Sequence, residues 1–450
     1  MAFDADSHSA ALAALIDYAK AAGADASEAS LAARESISAE VRMGELEGME
    51  REEARSVALR AFIGKRQAAA STTDLSIKGL KTLAERVVDM AKAAPEDAYC
   101  GLLDRQYLAA SGASGDLDMS DTARPSPDQL LALATACETA SLAVPGIANS
   151  GGGGASSEVS HFIYATSTGF EGAEQGTSYS LGTQPIAERG DDMERDYEWR
   201  TKRFFADLPS PEEIGRIAGE RTARRLGARK LESTKAAVIF ENRLASRIVG
   251  PALSAISGAA VARGVSFLKD KLGQRVFPAG FRIFEDPLVK RGLSSRWFDG
   301  EGGAVAPMAL IEDGVVQTWL LNAATARQLG MTPNGHATSG HGGPPGVGTS
   351  NLFVKPGPDS LDASMRNASK GLFVTEMFSP SLNANTGDWS VGVAGYWFEN
   401  GAIAFPVSEV TVAGNLLEIY ARIRCNADVD TRGSIEIPSL IVDDLAIGGV

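Results

Sequence analysis

The sequence predicts an α+β protein of two domains, and three observations lead to this prediction. Its 450 residues exceed what one average hydrophobic core holds. Helical and strand-like patterns follow one another in blocks and do not alternate as βαβ units would. The 48 glycines exceed the usual ~7% share, which indicates many tight turns between strands. We expect an N-terminal domain of mixed helices and antiparallel strands over residues 1–230, and a β-rich C-terminal domain with one long helix over residues 231–450.

The N-terminal domain is predicted to begin with a helix, because four apolar residues share one face at helical spacing: Leu12, Leu15, Ile16 and Ala19. Alternating patterns over 37–44 and 55–72 predict half-buried antiparallel strands. A second helix is expected over 76–93. Two further helices are predicted to begin at Ser126 and Ser210, where a Ser-Pro pair supplies the capping side chain and the first helical residue.

Between these two capped helices, the sequence predicts a loop and then strands. The run Ser150–Ser157 contains four consecutive glycines and is interpreted as a flexible connection between helix and sheet. Strand-like segments follow at 158–168, 175–187 and 195–205. Within them, the charged tract Glu188–Arg203 mixes acidic and basic residues with Tyr and Trp, which is typical of the solvated face of a hairpin.

The C-terminal domain is predicted to begin with an apolar strand at Ala236–Phe240, after a charged stretch that marks the domain boundary near 228–235. A long helical pattern over 243–262 follows the strand. The remainder is punctuated by Gly and Pro and is expected to be rich in strands.

The composition excludes several classes of protein. With 43 basic and 57 acidic residues, the formal net charge is −14, whereas a nucleic-acid-binding surface needs a basic stripe. The most apolar charge-free window, between Arg247 and Arg263, has 15 residues, and a membrane span needs about 18. No signal peptide is visible, and three scattered cysteines suit a reducing compartment. We therefore expect a cytoplasmic protein without direct contact to nucleic acid or membrane.

Motifs for catalysis are largely missing. None of the four histidines is followed by Glu, so the helical zinc motif is absent, as are phosphate-binding loops and the nucleophile elbow. His336 and His341 lie in a Gly- and Pro-rich loop, which favours a polar loop over a metal or acid/base site. Ser254 and Ser257 would need a neighbouring base to act as nucleophiles, and we interpret them as small residues that ease helix packing.

Two blocks of the sequence resemble the TldD/PmbA family of metalloproteases. The N-terminal block comprises Ser36–Glu47 and Arg60–Asp74. The C-terminal block is more specific and comprises Gly371–Met377, Asn385–Ser390, Gly395–Gly401, Phe405–Val407 and Ala413–Asn415. The resemblance covers nearly the whole chain in the right order, and it implies the two-domain fold of that family.

The same resemblance places this chain in one branch of the family. The TldD branch carries His-Glu-x-x-x-His on a helix plus a Cys nearer the C-terminus as metal ligands, and the PmbA branch, also called TldE, lacks them. Overlaid on this chain, the motif puts Ser254 and Ala259 at the His positions, Ala255 at the Glu position and Gly258 before the second His. The overlay could slip by a turn, but no register within 243–262 supplies His or Glu. The Cys is expected within Arg432–Ser439, which contains none, so the chain resembles the PmbA branch.

The resemblance implies a subunit without catalytic residues, metal or cofactor of its own. It would pair with a TldD-like subunit whose metal, expected to be zinc, cleaves unfolded peptides in the cytoplasm during proteolysis and peptide maturation. The peptide is expected to add as a strand along Gly371, Leu372, Phe373, Val374 and Thr375.

Other functions stay open at this stage. The alternative is a stand-alone binding or regulatory protein, in line with the family's description as a modulator of DNA gyrase. A weaker option is a metal-free hydrolase that uses Ser254 or His336. The sequence leaves undecided whether the chain has any activity alone and whether the isolated chain is a homodimer.

Overall fold

The structure is a computed structural model that describes residues 5–110 and 117–449. The elements of the N-terminal half are α1 (Ala5–Ala21), β1 (Ala26–Arg42), β2 (Glu45–Ile63), β3 (Arg66–Thr72), α2 (Ile77–Ala93), α3 (Pro127–Leu142), β4 (Ile147–Thr166), β5 (Glu171–Arg189), β6 (Asp192–Arg195), β7 (Glu198–Lys202) and α4 (Pro211–Arg224).

The elements of the C-terminal half are β8 (Thr234–Phe240), α5 (Asn242–Ala255), α6 (Gly258–Ala262), β9 (Ile283–Asp286), β10 (Met308–Glu312), β11 (Val315–Val316), α7 (Ala323–Leu329), β12 (Ala337–Thr338), β13 (Gly346–Val347), β14 (Asn351–Val354), α8 (Leu361–Ala368), β15 (Lys370–Met377), β16 (Ser381–Leu382), β17 (Asp388–Glu399), β18 (Ala402–Asn415), α9 (Leu416–Arg422), β19 (Arg424–Asp430) and β20 (Ile435–Gly448).

The N-terminal half is built on one antiparallel sheet with the strand order β3-β2-β1-β4-β5-β6, and β7 also pairs with β5. Helices α1 and α2 pack their apolar faces on one end of the long strands, where Leu15 and Leu83 meet Leu31 and Leu59. Helices α3 and α4 cover a second patch formed by β1, β4 and β5. Two separate small cores therefore hold the four helices on this sheet.

The C-terminal half contains a larger sheet with the order β11-β10-β9-β14-β20-β18-β17-β15-β8. An additional pairing between β20 and β8 closes β8, β15, β17, β18 and β20 into a ring. The largest core of the protein lies in this half and includes Phe240, Ile248 and Leu372. In the described ranges, no helix is long and apolar enough to cross a membrane.

The antiparallel N-terminal sheet and the mostly antiparallel C-terminal sheet, in which only the β14–β20 and β15–β8 pairs described here are parallel, confirm the predicted α+β class. The two Ser-Pro helix starts are also confirmed. Ser126 and Gln129 form a reciprocal capping box, and the Ser210 side chain accepts a hydrogen bond from the Glu213 N–H.

The interpretation of Ser150–Ser157 as a flexible connection is wrong, because this run lies inside β4. Its glycines allow close packing. A Cβ on Gly153 would lie 2.8 Å from the Ala134 carbonyl of α3, and one on Gly154 would lie 3.1 Å from the Trp199 ring. The glycines therefore let a helix and an indole approach the strand backbone.

The single long helix expected over 243–262 is also a wrong prediction, because the structure contains α5 and α6 with a break between them. Ser257 is extended at the break, with φ −62° and ψ 126°. The main chain there pairs with Leu320: the Leu320 N–H donates to Ile256 at 2.9 Å, and the Gly258 N–H donates to Leu320 at 2.8 Å. These two hydrogen bonds to a remote segment replace those that a continuous helix would make.

The solvated face predicted for Glu188–Arg203 is wrong for Asp196 and Glu198, which are both buried. Asp196 accepts a hydrogen bond from Arg243 at 2.9 Å, and Arg243 also donates to Glu241 at 2.8 Å. We call Arg243, Asp196 and Glu241 the Arg243 cluster. Burial by itself would lower the pKa of Arg243. The carboxylates of Glu241 and Asp196 have the larger effect, so the net result is a raised pKa for this arginine. This buried ion cluster joins the two halves of the chain.

A second buried cluster also links the halves. Arg60 makes a bidentate pair with Glu28 at 2.8 and 2.9 Å, and the Tyr164 hydroxyl donates to the same carboxylate at 2.7 Å. Glu301 of the C-terminal half approaches Arg60 at 3.8 Å and accepts a hydrogen bond from the Ala323 N–H. Burial raises the pKa of Glu301 to about 7.

Candidate functional site

The helix positions indicated by the family resemblance lie at an open groove of about 490 Å³, located where α5 ends and α6 begins. We call it the Ser254 groove. Its described lining residues are Pro251, Leu253, Ser254, Ala255, Ser257, Ala260, Arg263, Val265, Phe267, Leu320, Val347, Gly348, Thr349, Leu382 and Ala384. The groove includes residues from both sides of the break in the helix, since Ser254 belongs to α5, Ser257 lies at the break and Ala260 belongs to α6.

The structure brings only part of the overlaid motif to this groove. Ser254 is exposed at the end of α5, and the neighbouring Ala255 is buried but still borders the groove. Ala259 lies on α6 and is not among the lining residues. Gly258 is buried against Leu320 and Leu321. The two overlaid His positions therefore lie on different helices.

The lining of the groove does not fit a catalytic zinc ion. Zinc in hydrolases is held by imidazole, thiolate or carboxylate groups, and none of the described lining residues is His, Cys, Asp or Glu. The groove offers hydroxyl groups from Ser254, Ser257 and Thr349, and the guanidinium of Arg263. Across residues 5–110 and 117–449, no group of three or more His, Cys, Asp or Glu side chains is arranged to hold a metal.

The segment in which the resemblance places the missing Cys lies near the opposite end of α5. Ser439, the last residue of Arg432–Ser439, accepts a hydrogen bond from the Asn242 N–H at 3.0 Å. Asn242 begins α5 and Ser254 lies near its end. At 1.5 Å per residue, about 18 Å of helix separates them. The overlaid helix positions and Ser439 therefore do not converge in this chain.

The proposed peptide-binding strand is an interior strand of the sheet, which corrects the expectation that a peptide adds along it. Gly371, Leu372, Phe373 and Val374 of β15 pair with β8 on one edge and with β17 on the other. Thr375 follows at an irregularity in the β17 pairing, and its carbonyl accepts a hydrogen bond from Arg243. Because both edges are occupied from Gly371 to Val374, no further strand can pair there.

His336 is buried rather than presented on a polar loop. Its side chain is 2% exposed, and its ring nitrogens lie 2.6 Å from the Glu285 carboxylate and 2.8 Å from the Asn334 side-chain oxygen. Burial alone would raise the pKa of Glu285, but hydrogen bonds from His336 and Ser350 outweigh it and lower that pKa. With both nitrogens engaged, His336 holds its loop in place and is not available as a base.

His341 lies between the two halves of the chain. Its Nδ1 is 2.9 Å from the Ser30 hydroxyl and its Nε2 is 2.7 Å from the Ser56 hydroxyl, on neighbouring strands of the first sheet. Burial lowers the pKa of His341, which favours the neutral ring. The loop histidines are therefore separated: one packs within the C-terminal half, and the other contacts the N-terminal sheet.

Sequence reasoning missed the most distinctive residue of the groove, Arg263, which caps the C-terminal end of α6. Its charge ends the apolar window between Arg247 and Arg263 and could have marked it for attention. The apolar walls could not be found in this way, because Val265, Phe267, Val347 and Leu382 come from separate segments.

Comparison with known proteins supports one family over most of the chain. The models described as PmbA/TldA metallopeptidase domain 1, central domain and C-terminal domain match residues 27–91, 120–226 and 233–449. The chain is 35% identical to "Metalloprotease PmbA" of Escherichia coli O157:H7, with 94% of this chain and 92% of the relative covered. It is 33% identical to the "Metalloprotease PmbA homolog" of Haemophilus influenzae, with 96% of this chain and 94% of that relative covered.

Solved structures share the fold. A putative modulator of DNA gyrase from Bacteroides thetaiotaomicron superposes with a TM-score of 0.91 at 26% identity, and 99% of each chain is covered. TldE from Thermococcus kodakarensis superposes with a TM-score of 0.84 at 18% identity, and covers 98% of this chain and all of its own. At that low identity, the second likeness concerns the fold alone.

Proposed function

The chain belongs to the PmbA/TldD metallopeptidase family, and on this premise we propose that it is the metal-free subunit of a two-part cytoplasmic peptidase. The observation that carries the proposal is the donor chemistry of the Ser254 groove. Hydrolysis by a metal needs an activated water on fixed ligands, and neither Ser254 nor Ala255 offers a side chain that suits zinc. The metal, expected to be zinc, would be supplied by a TldD-like partner.

The substrate in this proposal is an unfolded peptide. An extended chain can be held by main-chain hydrogen bonds to a free strand edge. Because β15 is paired on both sides from Gly371 to Val374, a peptide bound in this way must use another edge, in this chain or in the partner. The contribution of this chain would be the shape of the binding space and part of its side-chain contacts.

The test is to measure cleavage of an unfolded peptide by this chain alone, by a relative that carries His-Glu-x-x-x-His plus Cys, and by their mixture. We expect cleavage only in the mixture, and its loss after chelation. Replacing one His ligand of the partner should abolish cleavage. Each histidine of this chain can also be replaced singly with Gln: His8, His161, His336 and His341. In complexes that still assemble, each replacement should lower the cleavage rate by less than about tenfold, which corresponds to about 1.4 kcal/mol of activation barrier.

Three outcomes would contradict this function. Metal-free cleavage by this chain alone would show that it carries its own catalytic groups. A partner that is equally active with and without this chain would favour the stand-alone binding or regulatory role. Elemental analysis of the isolated chain adds an independent measurement: about one zinc per chain that survives dialysis would contradict the metal-free assignment.

A further inference from the structure

The Ser254 groove has a charge pattern that is unusual for this chain. The chain has 57 acidic and 43 basic residues, yet none of the described residues that line the groove is acidic, and only Arg263 is charged. The walls beside it are apolar and include Leu253, Val265, Phe267 and Leu382. A groove of this kind is complementary to a ligand with an apolar body and one negative group.

The guanidinium of Arg263 is exposed and available for such a ligand. Within the described part of the chain, its side chain makes no hydrogen bond or ion pair, and it lies at the end of α6. Two buried arginines elsewhere differ from it in being paired, Arg60 with Glu28 and Arg243 with Asp196. An unpaired guanidinium binds a carboxylate through two parallel hydrogen bonds, which a single point charge cannot do.

The groove also offers groups for a peptide main chain. Ser254, Ser257 and Thr349 line it, and their hydroxyls make no hydrogen bond within the ranges that the structure describes. A hydroxyl can donate to a carbonyl or accept from an N–H, so it suits either group of a peptide bond. The volume of about 490 Å³ lies in the range that holds a ligand of a few residues.

We propose that the Ser254 groove binds the C-terminal segment of an apolar peptide, with its terminal carboxylate on Arg263 and its last side chains against Val265 and Phe267. This inference rests on the proposed function in one respect, namely that such peptides would be substrates or products of the complex. It assigns the groove a role in holding peptide ends rather than in cleaving bonds.

The test uses the isolated full-length chain and a tripeptide of Leu, Val and Phe that is labelled at its amino end. Fluorescence anisotropy compares the free acid with the C-terminal amide of the same peptide. We expect the acid to bind about tenfold or more tightly than the amide, because only the acid makes charge-assisted hydrogen bonds. Arg263→Glu should remove this preference and leave binding of the amide nearly unchanged.

Arg366→Glu is the matched control, because Arg366 is also exposed in the last turn of a short helix, α8, and lies outside the groove. Arg366→Glu changes the net charge of the chain by the same amount as Arg263→Glu, but this variant should still bind the acid more tightly than the amide. Ser254→Trp is a second variant that fills the groove and should weaken both peptides. Unfolding midpoints of all variants verify that they are folded.

Equal affinity for acid and amide would overturn the inference, and so would the absence of any binding at millimolar peptide. An equal loss of the preference for the acid in Arg263→Glu and Arg366→Glu would also overturn the inference, because it would show that only the net charge of the chain matters. The assay needs neither partner nor cleavage. Acid-selective binding without cleavage by the complex would defeat only the proposed function, and cleavage without acid-selective binding would defeat only this inference.

Discussion

Arg243 is the residue whose replacement should destabilise the protein most clearly, and Arg243→Met is the variant to make. The guanidinium is 3% exposed and holds Asp196 of the N-terminal half and Glu241 of the C-terminal half. Methionine fills similar apolar volume but leaves both carboxylates without this partner. Breaking a buried pair costs about 3–5 kcal/mol. Arg225 lies 3.9 Å from Asp196 and would still partly neutralise its negative charge in the variant. We therefore expect a loss of unfolding free energy at the lower end of this range, about 3 kcal/mol.

The assay is urea unfolding of the full chain, followed by fluorescence of its five Trp residues. Arg291→Met is the control, because Arg291 also connects the two halves through two carboxylates. It pairs with Asp118 at 2.6 Å and Asp207 at 3.0 Å, but its side chain is 44% exposed. Water and salt screen exposed pairs, so the midpoint should hardly move.

The comparison of the two variants decides whether burial is the cause. A loss below about 1 kcal/mol for Arg243→Met would mean that the Arg243 cluster is hydrated in solution. Equal shifts for both variants would mean that the number of interdomain ion pairs matters and their burial does not. Either result would refute the reasoning.

The remaining predictions concern the groove and the second buried cluster. The triple variant Ser254→His, Ala255→Glu and Ala259→His restores the family's metal motif. Elemental analysis should find no stoichiometric zinc in it, and the chain alone should cleave no peptide, because the two new imidazoles would lie on separate helices. Gly258→Ala should lower the free energy of unfolding by about 1–3 kcal/mol, because its Cβ would lie 2.6 Å from the Leu321 side chain; the control Gly433→Ala, at an exposed loop position with open space around the new Cβ, should change it by less than about 0.5 kcal/mol. Burial raises the pKa of Glu301 to about 7 in the folded state, above its ordinary value of 4.5, so stability should fall as pH rises from about 4.5 to 7; Glu301→Gln should remove that dependence in unfolding curves measured across this pH range.

Much of the fold could be predicted because it depends on local signals. Ser126 caps the start of α3 because its hydroxyl accepts a hydrogen bond from the Gln129 N–H at 3.2 Å, and the two residues are only three positions apart in the sequence. The glycines of β4 resemble a flexible linker in the sequence, because the partners that explain them, α3 and Trp199, belong to other elements. The charged neighbours of Asp196 predict a solvated face, because its buried partner, Arg243, lies 47 residues away in the sequence.

The candidate site could be predicted in its chemistry but not in its shape. The family resemblance overlays Ser254, Ala255 and Ala259 on the ligand motif, and their hydroxyl and methyl side chains differ from the imidazole and carboxylate groups of that motif. The break in the helix depends on hydrogen bonds to Leu320, which no local pattern near Ser257 reveals. The groove is lined by residues on both sides of that break and by residues of remote segments, so a continuous helix does not predict it.

Backbone packing alone explains why glycine stands at position 258. The Gly258 N–H donates to the Leu320 carbonyl at 2.8 Å, and a Cβ there would lie 2.8 Å from the same oxygen. Glycine is therefore required by backbone packing, and its presence in the overlaid motif does not indicate a lost metal site. The side chains of Ser254 and Ala259 are under no such constraint, because both are only partly buried or exposed. Metal ligands can be absent at these two positions while the backbone that shapes the groove stays the same, and a peptide-binding role needs only that shape and the charge of Arg263.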